Sequence, residues 1–444
     1  MKLWKAPIFY IGIALVMAIG LALAAPYLIN WDGYRQTIEA YGQKLTGRKV
    51  TVAGDISGTL FPWPKLVLHD VRIANPAGAK NADLAKAATV DVQMTLAGLF
   101  AGEVRVETID VFSPEISFER MANGKGSWML EPKIDVAANP ALERIRLDQI
   151  SLKGGTVHLI DSRRKGRATF TNVDGTLAAQ SLTGPWRIRA TAAYRDAPIE
   201  VGINTGEWRK DQPLKFGFRI APLEGAGLVY QFDGQNDGKA VSGALRIEPA
   251  SDAKGKDDTE GKLRPLALTA KLTAGFDAVS FDKIEIAPKD SVGGTNLLSG
   301  SAKVSLGPMI GLTADLAATR FDLDAIAGNK ARQMLRQGGW LDLLDSVVAG
   351  LPPNIDVQAT LKVTALVMGG ETVDNAKLQV GLSNDAIRIR EFSANLPGQA
   401  RALFNGIFLP TDAGPQLSGN FSGEAGSLRD FVGWAWPEGK ADVE

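Results

Sequence analysis

From Arg48 onward, apolar and polar residues alternate with a period of two. Val90, Val92, Met94 and Leu96 are separated by Asp91, Gln93 and Thr95, and Val104 and Val106 by Arg105. Ile116 and Phe118 sit among Glu115, Ser117 and Glu119. Trp186 with Ile188, Phe216 with Phe218 and Ile220, and Ile387 with Ile389 repeat the pattern. Its longest run is Ile355, Val357, Ala359, Leu361 and Val363. Strand side chains point alternately to opposite faces, so each run predicts a strand with one apolar and one wet face. Parallel strands are usually buried on both faces and read as unbroken apolar runs, so alternation predicts antiparallel sheet. Asn123-Gly124-Lys125-Gly126, Val173-Asp174-Gly175, Asp233-Gly234 and Asn236-Asp237-Gly238 supply the positive φ of hairpin turns.

Two other periods interrupt the β pattern. Ala6–Trp31 carries no charge, and Ile8–Ile29 supplies the roughly 20 apolar residues a membrane-spanning helix needs. A secretory signal offers only about 7–15. The segment therefore reads as a single-pass anchor, despite the cleavage-like Ala22-Leu23-Ala24. Lys2 and Lys5 precede it and Asp32 follows, which predicts a cytoplasmic N-terminus and an exported body. Residues 31–46 then predict an amphipathic helix capped by Asp32, with Tyr34, Ile38, Tyr41 and Leu45 on one stripe. It is expected to pack on the body or lie at the membrane surface. A helical insert is expected at about 322–350, with Ile326, Met334 and Leu335 before Gly338-Gly339, and Trp340 to Val348 after.

The expected organisation is an anchor over 1–30, a helix over 31–46 and a β region over 47–250. A charged loop over 251–261 and a second β region over 262–444 follow. The chain stops inside the apolar Phe431–Pro437, which fits an N-terminal piece of a longer protein.

Composition removes most chemistry. The 444 residues contain no cysteine and two histidines, His69 and His158, so thiol catalysis and cysteine metal sites are excluded and a catalytic triad has little material. Lys and Arg balance Asp and Glu at 49 each, which argues against nucleic acid as a partner. No glycine-rich phosphate loop stands between a strand and a helix. Asp322 with Asp324, and Asp342 with Asp345, read as helix caps rather than paired catalytic carboxylates. Asp161–Arg167 reads as a solvated hairpin tip, with contact to anionic head groups as its alternative. His69 reads as structural, and Trp63, Trp128, Trp186 and Trp340 as core or turn packing. The expectation is no catalytic residue, no metal and no cofactor.

Several motifs together resemble the bacterial AsmA family. They are Gly47–Gly54 (GRKVTVAG), Pro62-Trp63-Pro64, Leu68–Gly78 (LHDVRIANPAG), and the run from Ala87–Leu96 through Gly102–Pro114 to Gly126-Ser127-Trp128. In that last turn Ser127 stands where the family commonly has Asn. Leu147–Asp161, Thr176–Tyr194 with Ser181–Pro185, and Phe321–Phe408 with Asn395–Gly398 resemble later parts of the family. The resemblance implies an inner-membrane protein with a periplasmic body, related to TamB and to bridge-like lipid transporters. The implied fold is mainly β: a transmembrane helix, then an elongated, curved, trough-like antiparallel sheet with a few short amphipathic helices.

Physical reasoning runs alongside. Roughly twenty one-sided strands exceed what an open sheet carries before it curls or splits. The sheets then either pack as sandwiches or leave an apolar face for a ligand. An acyl chain fits, since its burial is worth about 0.8 kcal/mol per CH₂. The expected lipid-groove residues are Val90, Val92, Met94, Leu96, Val104, Val106, Ile355, Val357, Leu361 and Val363, with the mouth near Pro62 and Pro64 beside the anchor. Three readings follow. The first is a non-enzymatic carrier or shield of phospholipid in outer-membrane biogenesis. The second is a periplasmic scaffold that recruits other envelope proteins and affects porin assembly without lipid transfer. The third is an envelope enzyme such as a glycosidase, for which no carboxylate pair is marked. Oligomeric state is left open by the sequence.

Overall fold

The structure is a computed structural model that describes residues 17, 30–59, 63–95, 106–129, 147–163, 166–179, 181, 183–250, 264–289, 296–307, 309–326, 355–383, 386–409 and 416–435. The anchor segment Ile8–Ile29 lies outside them except for Met17, as do Leu96, Val104, Asp342, Asp345, Trp340 and the charged loop. Among the described residues no helix is long and apolar enough to cross a membrane. The chain divides into two units, Met1–Glu224 and Gly225–Glu444.

In the first unit a 3₁₀ turn, Trp31–Tyr34, leads into the helix Arg35–Thr46, which ends on Gly47 in the left-handed conformation. Asp32 does not cap this helix: no side chain does, and the Asp32 carboxylate instead accepts a hydrogen bond from Arg35. The strands are β1 (Val50–Val52), β2 (Ile56–Thr59), β3 (Lys65–Ala74), β4 (Asp83–Met94), β5 (Val106–Phe112), β6 (Glu115–Arg120), β7 (Leu147–Asp161), β8 (Gly166–Ala179), β9 (Trp186–Tyr194), β10 (Ala197–Thr205) and β11 (Leu214–Pro222). β1 and β2 both pair with β3 as two halves of one edge strand. β5 and β6 likewise form one strand broken at Ser113-Pro114, lying between β4 and β7. Pro114 has no N–H to give the ladder. Gly155 of β7 faces that break, and a Cβ there would sit 3.0 Å from the Pro114 ring.

In the second unit the ladder runs in chain order: β12 (Leu228–Asn236), β13 (Val241–Pro249), β14 (Leu266–Ala274), β15 (Ala278–Pro288), β16 (Leu298–Leu306), β17 (Ile310–Asp322), β18 (Ile355–Met368), β19 (Glu371–Ser383), β20 (Ala386–Leu396), β21 (Ala400–Leu409) and β22 (Gln416–Glu424). A helix, Leu428–Ala435, follows, and its Trp434 indole donates to the Met368 carbonyl. The charged segment 251–261 joins β13 to β14, which pair with each other.

The fold is thus mainly β, but the expectation of purely antiparallel pairing is corrected. β5 and β6 run parallel to β7, and β17 runs parallel to β18. Alternation reports which faces are wet, not strand direction. On β17–β18 the polar face is exposed at Thr313, Asp315, Gln358 and Lys362, whereas on β6–β7 it is buried at Ser117, Glu119 and His158.

Two expected turns are also corrected. Asp174-Gly175 lies inside β8 and Asp233-Gly234 inside β12. Gly175 is needed because a Cβ there would meet the Ala190 Cβ at 2.9 Å. Gly234 lies under the Phe232 ring, 2.5 Å from where its own Cβ would be. Glycine inside a strand marks such close approaches. Asn236-Asp237-Gly238 and Asn123–Gly126 do form turns. Asp237 accepts from the Lys239 and Ala240 N–H groups, and these bonds hold its carboxyl below the usual range.

Candidate functional site: an apolar face running strand to strand

Register pairs place residues of neighbouring strands side by side on one face, so the apolar positions can be followed across each sheet. In the first unit one row reads Leu66, Val92, Ile109, Ile150, Leu177, Ile188, Ile203 and Phe218, crossing from β3 to β11. The next row reads Leu68, Val90, Val111, Leu152, Gly175, Ala190, Val201 and Ile220. In the second unit Val241, Ala274, Val279, Val304, Leu312, Val357, Leu382, Ile387, Phe408 and Leu417 form an unbroken row from β13 to β22. A second row reads Leu316, Leu361, Leu378, Phe392, Phe404 and Phe421.

The opposite faces are polar. Asp91 lies opposite Asp110, and the repulsion is relieved by Lys65 at 2.7 Å from Asp91 and Lys153 at 3.3 Å from Asp110. In the second unit Lys362 lies opposite Lys377, whose ammonium is 2.6 Å from Glu391.

Among the described residues the apolar faces are not closed by a second layer. Every residue of the first row is half-buried, and in the second unit Leu316, Leu361, Leu378, Phe392 and Phe404 are half-buried as well. The inner face of a sandwich would be sealed. Among the described residues two buried hydrophobic clusters stand out. Val52, Ile56 and Leu68 are covered by Trp31 and Ile38, and Ile387 with Phe408 packs against Val380, Leu382 and Ile389. At the end of β6–β8 in the first unit the face opens into a cleft of about 460 Å³. Phe118, Trp128, Leu159 and Ala168 wall it, with Arg120, Asp161 and Arg167 among its lining.

The residues expected to line a groove fall as follows. Val90, Val92 and Met94 share one face of β4, and Val106 pairs with Met94. Ile355, Val357, Leu361 and Val363 share one face of β18, in register with Ile310, Leu312, Leu316 and Ala318. The two sets belong to different units. Pro64 is fully buried just before β3, whereas Trp63 is 62% exposed and Trp128 48% exposed, so neither tryptophan is core. Asp322 accepts from the Ala325 N–H as a cap, and Asp324 accepts from the N–H groups of Gly369 and Gly370 in the β18–β19 turn. His69 bonds Thr89. Among the described residues no group of three metal-binding side chains gathers.

Sequence reasoning missed a buried polar cluster on the other face of β6. Glu119 is fully buried; its carboxylate accepts from the Lys80 N–H at 2.7 Å and from the Ser162 hydroxyl. Ser127 Oγ accepts from the Glu119 N–H at 2.9 Å, and Asn81 donates to Ser117 at 2.8 Å. The cluster ties three loops to one strand. Nearby, burial and the Arg167 charge hold His158 below its ordinary pKa, against the opposing pull of Glu115. Lys86, hydrogen-bonded to Glu115, holds that carboxyl below its usual range.

These features define a class: a mainly β protein whose sheets carry apolar rows that stay half-buried from strand to strand. The AsmA family model matches residues 1–278, more than half of the chain, and the chain belongs to the AsmA family. That membership associates it with the bacterial envelope. No curated protein and no solved structure matches it.

Proposed function

We propose that the chain is a non-enzymatic envelope protein whose apolar rows carry or shield phospholipid acyl chains in support of outer-membrane biogenesis. In this reading residues 8–29 anchor it in the inner membrane and the sheets lie in the periplasm. The observation that carries the reading is the pair of apolar rows that stay half-buried across strand after strand. A lipid that leaves a bilayer loses about 0.8 kcal/mol for each CH₂ it exposes. Rows without a polar break avoid that loss at every step, whereas an isolated pocket avoids it at one. Phenylalanine rings laid over glycine, as Phe404 over Gly406, keep such a floor smooth. The scaffold reading makes no use of rows longer than a partner's footprint.

Val92→Glu and Leu361→Glu test it, each half-buried and each placing a charge in a row. The expected result is a folded protein that has lost co-purifying phospholipid and no longer maintains the outer-membrane barrier. Retention of both by folded variants overturns the proposal, and co-purified envelope protein without phospholipid favours the scaffold.

A further inference from the structure

The helix Arg35–Thr46 follows the apolar segment Ile8–Ile29 with only Asn30 and the turn Trp31–Tyr34 between them. Its inner side is taken by the sheet. Ile38 packs on the Val52 cluster, Arg35 donates to the Val52 and Gly54 carbonyls, and Glu39 accepts from the Val52 N–H. The outer side of a surface helix is ordinarily rich in charge. Here the exposed helix positions are Gln36, Thr37, Ala40, Tyr41, Gln43 and Lys44, with one lysine and no carboxylate. Tyr34 is 56% exposed and Tyr41 58%, and two helical turns put them on the same side. The Lys44 ammonium stands 5.7 Å from the centre of the Tyr41 ring. A third aromatic, Trp63, is 62% exposed in front of the buried Pro64. It belongs to the same end of the unit: its carbonyl accepts from Thr59 at 3.4 Å, next to Gly58, which lies against the Trp31 ring. Trp31 in turn pairs with Tyr34, ring centres 6.4 Å apart.

We propose that Tyr34, Tyr41, Lys44 and Trp63 form a seat on the head-group layer of the membrane that residues 8–29 enter. Tyrosine and tryptophan collect at membrane–water interfaces, where the body of the ring is apolar and its tip wet, and lysine is drawn to anionic head groups there. The nearby carboxylates are kept out of the way: Glu39 is turned to the Val52 N–H, and Asp32 is paired with Arg35. An interfacial helix usually buries its apolar face in lipid. This one gives that face to the Val52 cluster and so meets the bilayer along its tyrosine flank. Because Arg35 and Glu39 tie the helix to β1, seating the helix holds that edge of the first unit at the membrane. The seat therefore sets which end of the apolar rows starts at the bilayer: β3, whose Leu66 and Leu68 head both of them. The inference rests on residues 8–29 being an anchor, and not on lipid carriage.

The test uses the full chain in vesicles of phosphatidylethanolamine and phosphatidylglycerol. The chain has no cysteine, so each variant carries a single nitroxide label. Thr37→Cys places it between the tyrosines, three residues after Tyr34 and four before Tyr41, whereas Gln43→Cys places it on the opposite side of the helix. Ala14→Cys reports on the anchor. The label at position 37 is expected to be reached by oxygen and shielded from a water-soluble nickel chelate, and the label at position 43 the reverse. Adding Y34S/Y41S/W63S to Thr37→Cys should bring its label to the values seen at position 43. All three substituted positions are exposed, and circular dichroism checks that the variants fold. A label embedded in the bilayer at position 14, with position 37 as open to nickel as position 43, overturns the seat alone and leaves the flank to a protein partner. A label in water at position 14 overturns the anchor and the seat together. A label at position 37 indifferent to Y34S/Y41S/W63S overturns the assignment of the seat to these residues.

Discussion

Among the described residues the β1–β2 strand and β22 each pair on one side only, and they differ in what covers them. At β1–β2 the side chains Val52 and Ile56 are 1% and 6% exposed, covered by Trp31 and Ile38, and the outward backbone is bonded by Arg35 and Glu39. At β22 every residue is exposed. The same row that reaches Phe408, fully buried, reaches Leu417, 43% exposed, one strand later. Burial in this protein is therefore set by what lies across the strand edge as much as by residue type. A strand pattern alone finds the row, and the neighbouring element decides whether it is sealed.

That contrast is sharpest in single side chains. Phe408→Ala should cost about 3–5 kcal/mol, the range for deleting a packed aromatic. Phe421→Ala, at a position 69% exposed, should fall within about 0.5 kcal/mol. Urea denaturation of the detergent-solubilised chain checks both, and equal losses would erase the distinction. Arg35→Ala should come next, at about 1.5–3 kcal/mol, because it strips a charged donor from two carbonyls. Glu39→Ala should cost about 1–2 kcal/mol through the Val52 N–H it leaves without its acceptor. Hydrogen exchange should show the Val52 amide opening in Glu39→Ala while the amides of β22 are unchanged.

The smallest expected effect is a pH slope confined to the first unit. His158 is held below 6.5 when folded, so between its folded pKa and 6.5 the unfolded chain binds more protons. Its contribution is fully present above pH 6.5 and is lost as pH falls through the folded value. His158→Gln should flatten stability against pH in that window. Glu115, whose folded pKa is also lowered, acts in a separate window below 4.5.

The rows were legible because a period of two is local: Val357, Leu361 and Val363 could be assigned to one face without knowing their neighbours. Strand direction was not, since Asp322 and Ile355 are joined by a segment whose return path leaves no mark on the alternation. Asp174-Gly175 and Asp233-Gly234 misled for a related reason. Their glycines answer to Ala190 and to the Phe232 ring, contacts invisible to turn chemistry. Glu119 read as a wet strand position because its partners Lys80 and Ser162 lie 39 and 43 residues away. The family resemblance, by contrast, rested on ordered motifs spread from Gly47 to Phe408, and the family model matches the part up to residue 278, which leaves the Phe321–Phe408 motifs outside its match.

The lipid account turns on which face touches acyl chains. A photoreactive phenylalanine analogue placed at Leu361 or Phe392, on a row, and at Lys362 or Arg388, on the polar face, reads this directly in cells. The account predicts phospholipid adducts at Leu361 and Phe392 and none at Lys362 or Arg388. Adducts of equal yield on both faces, or none on the rows, would contradict it.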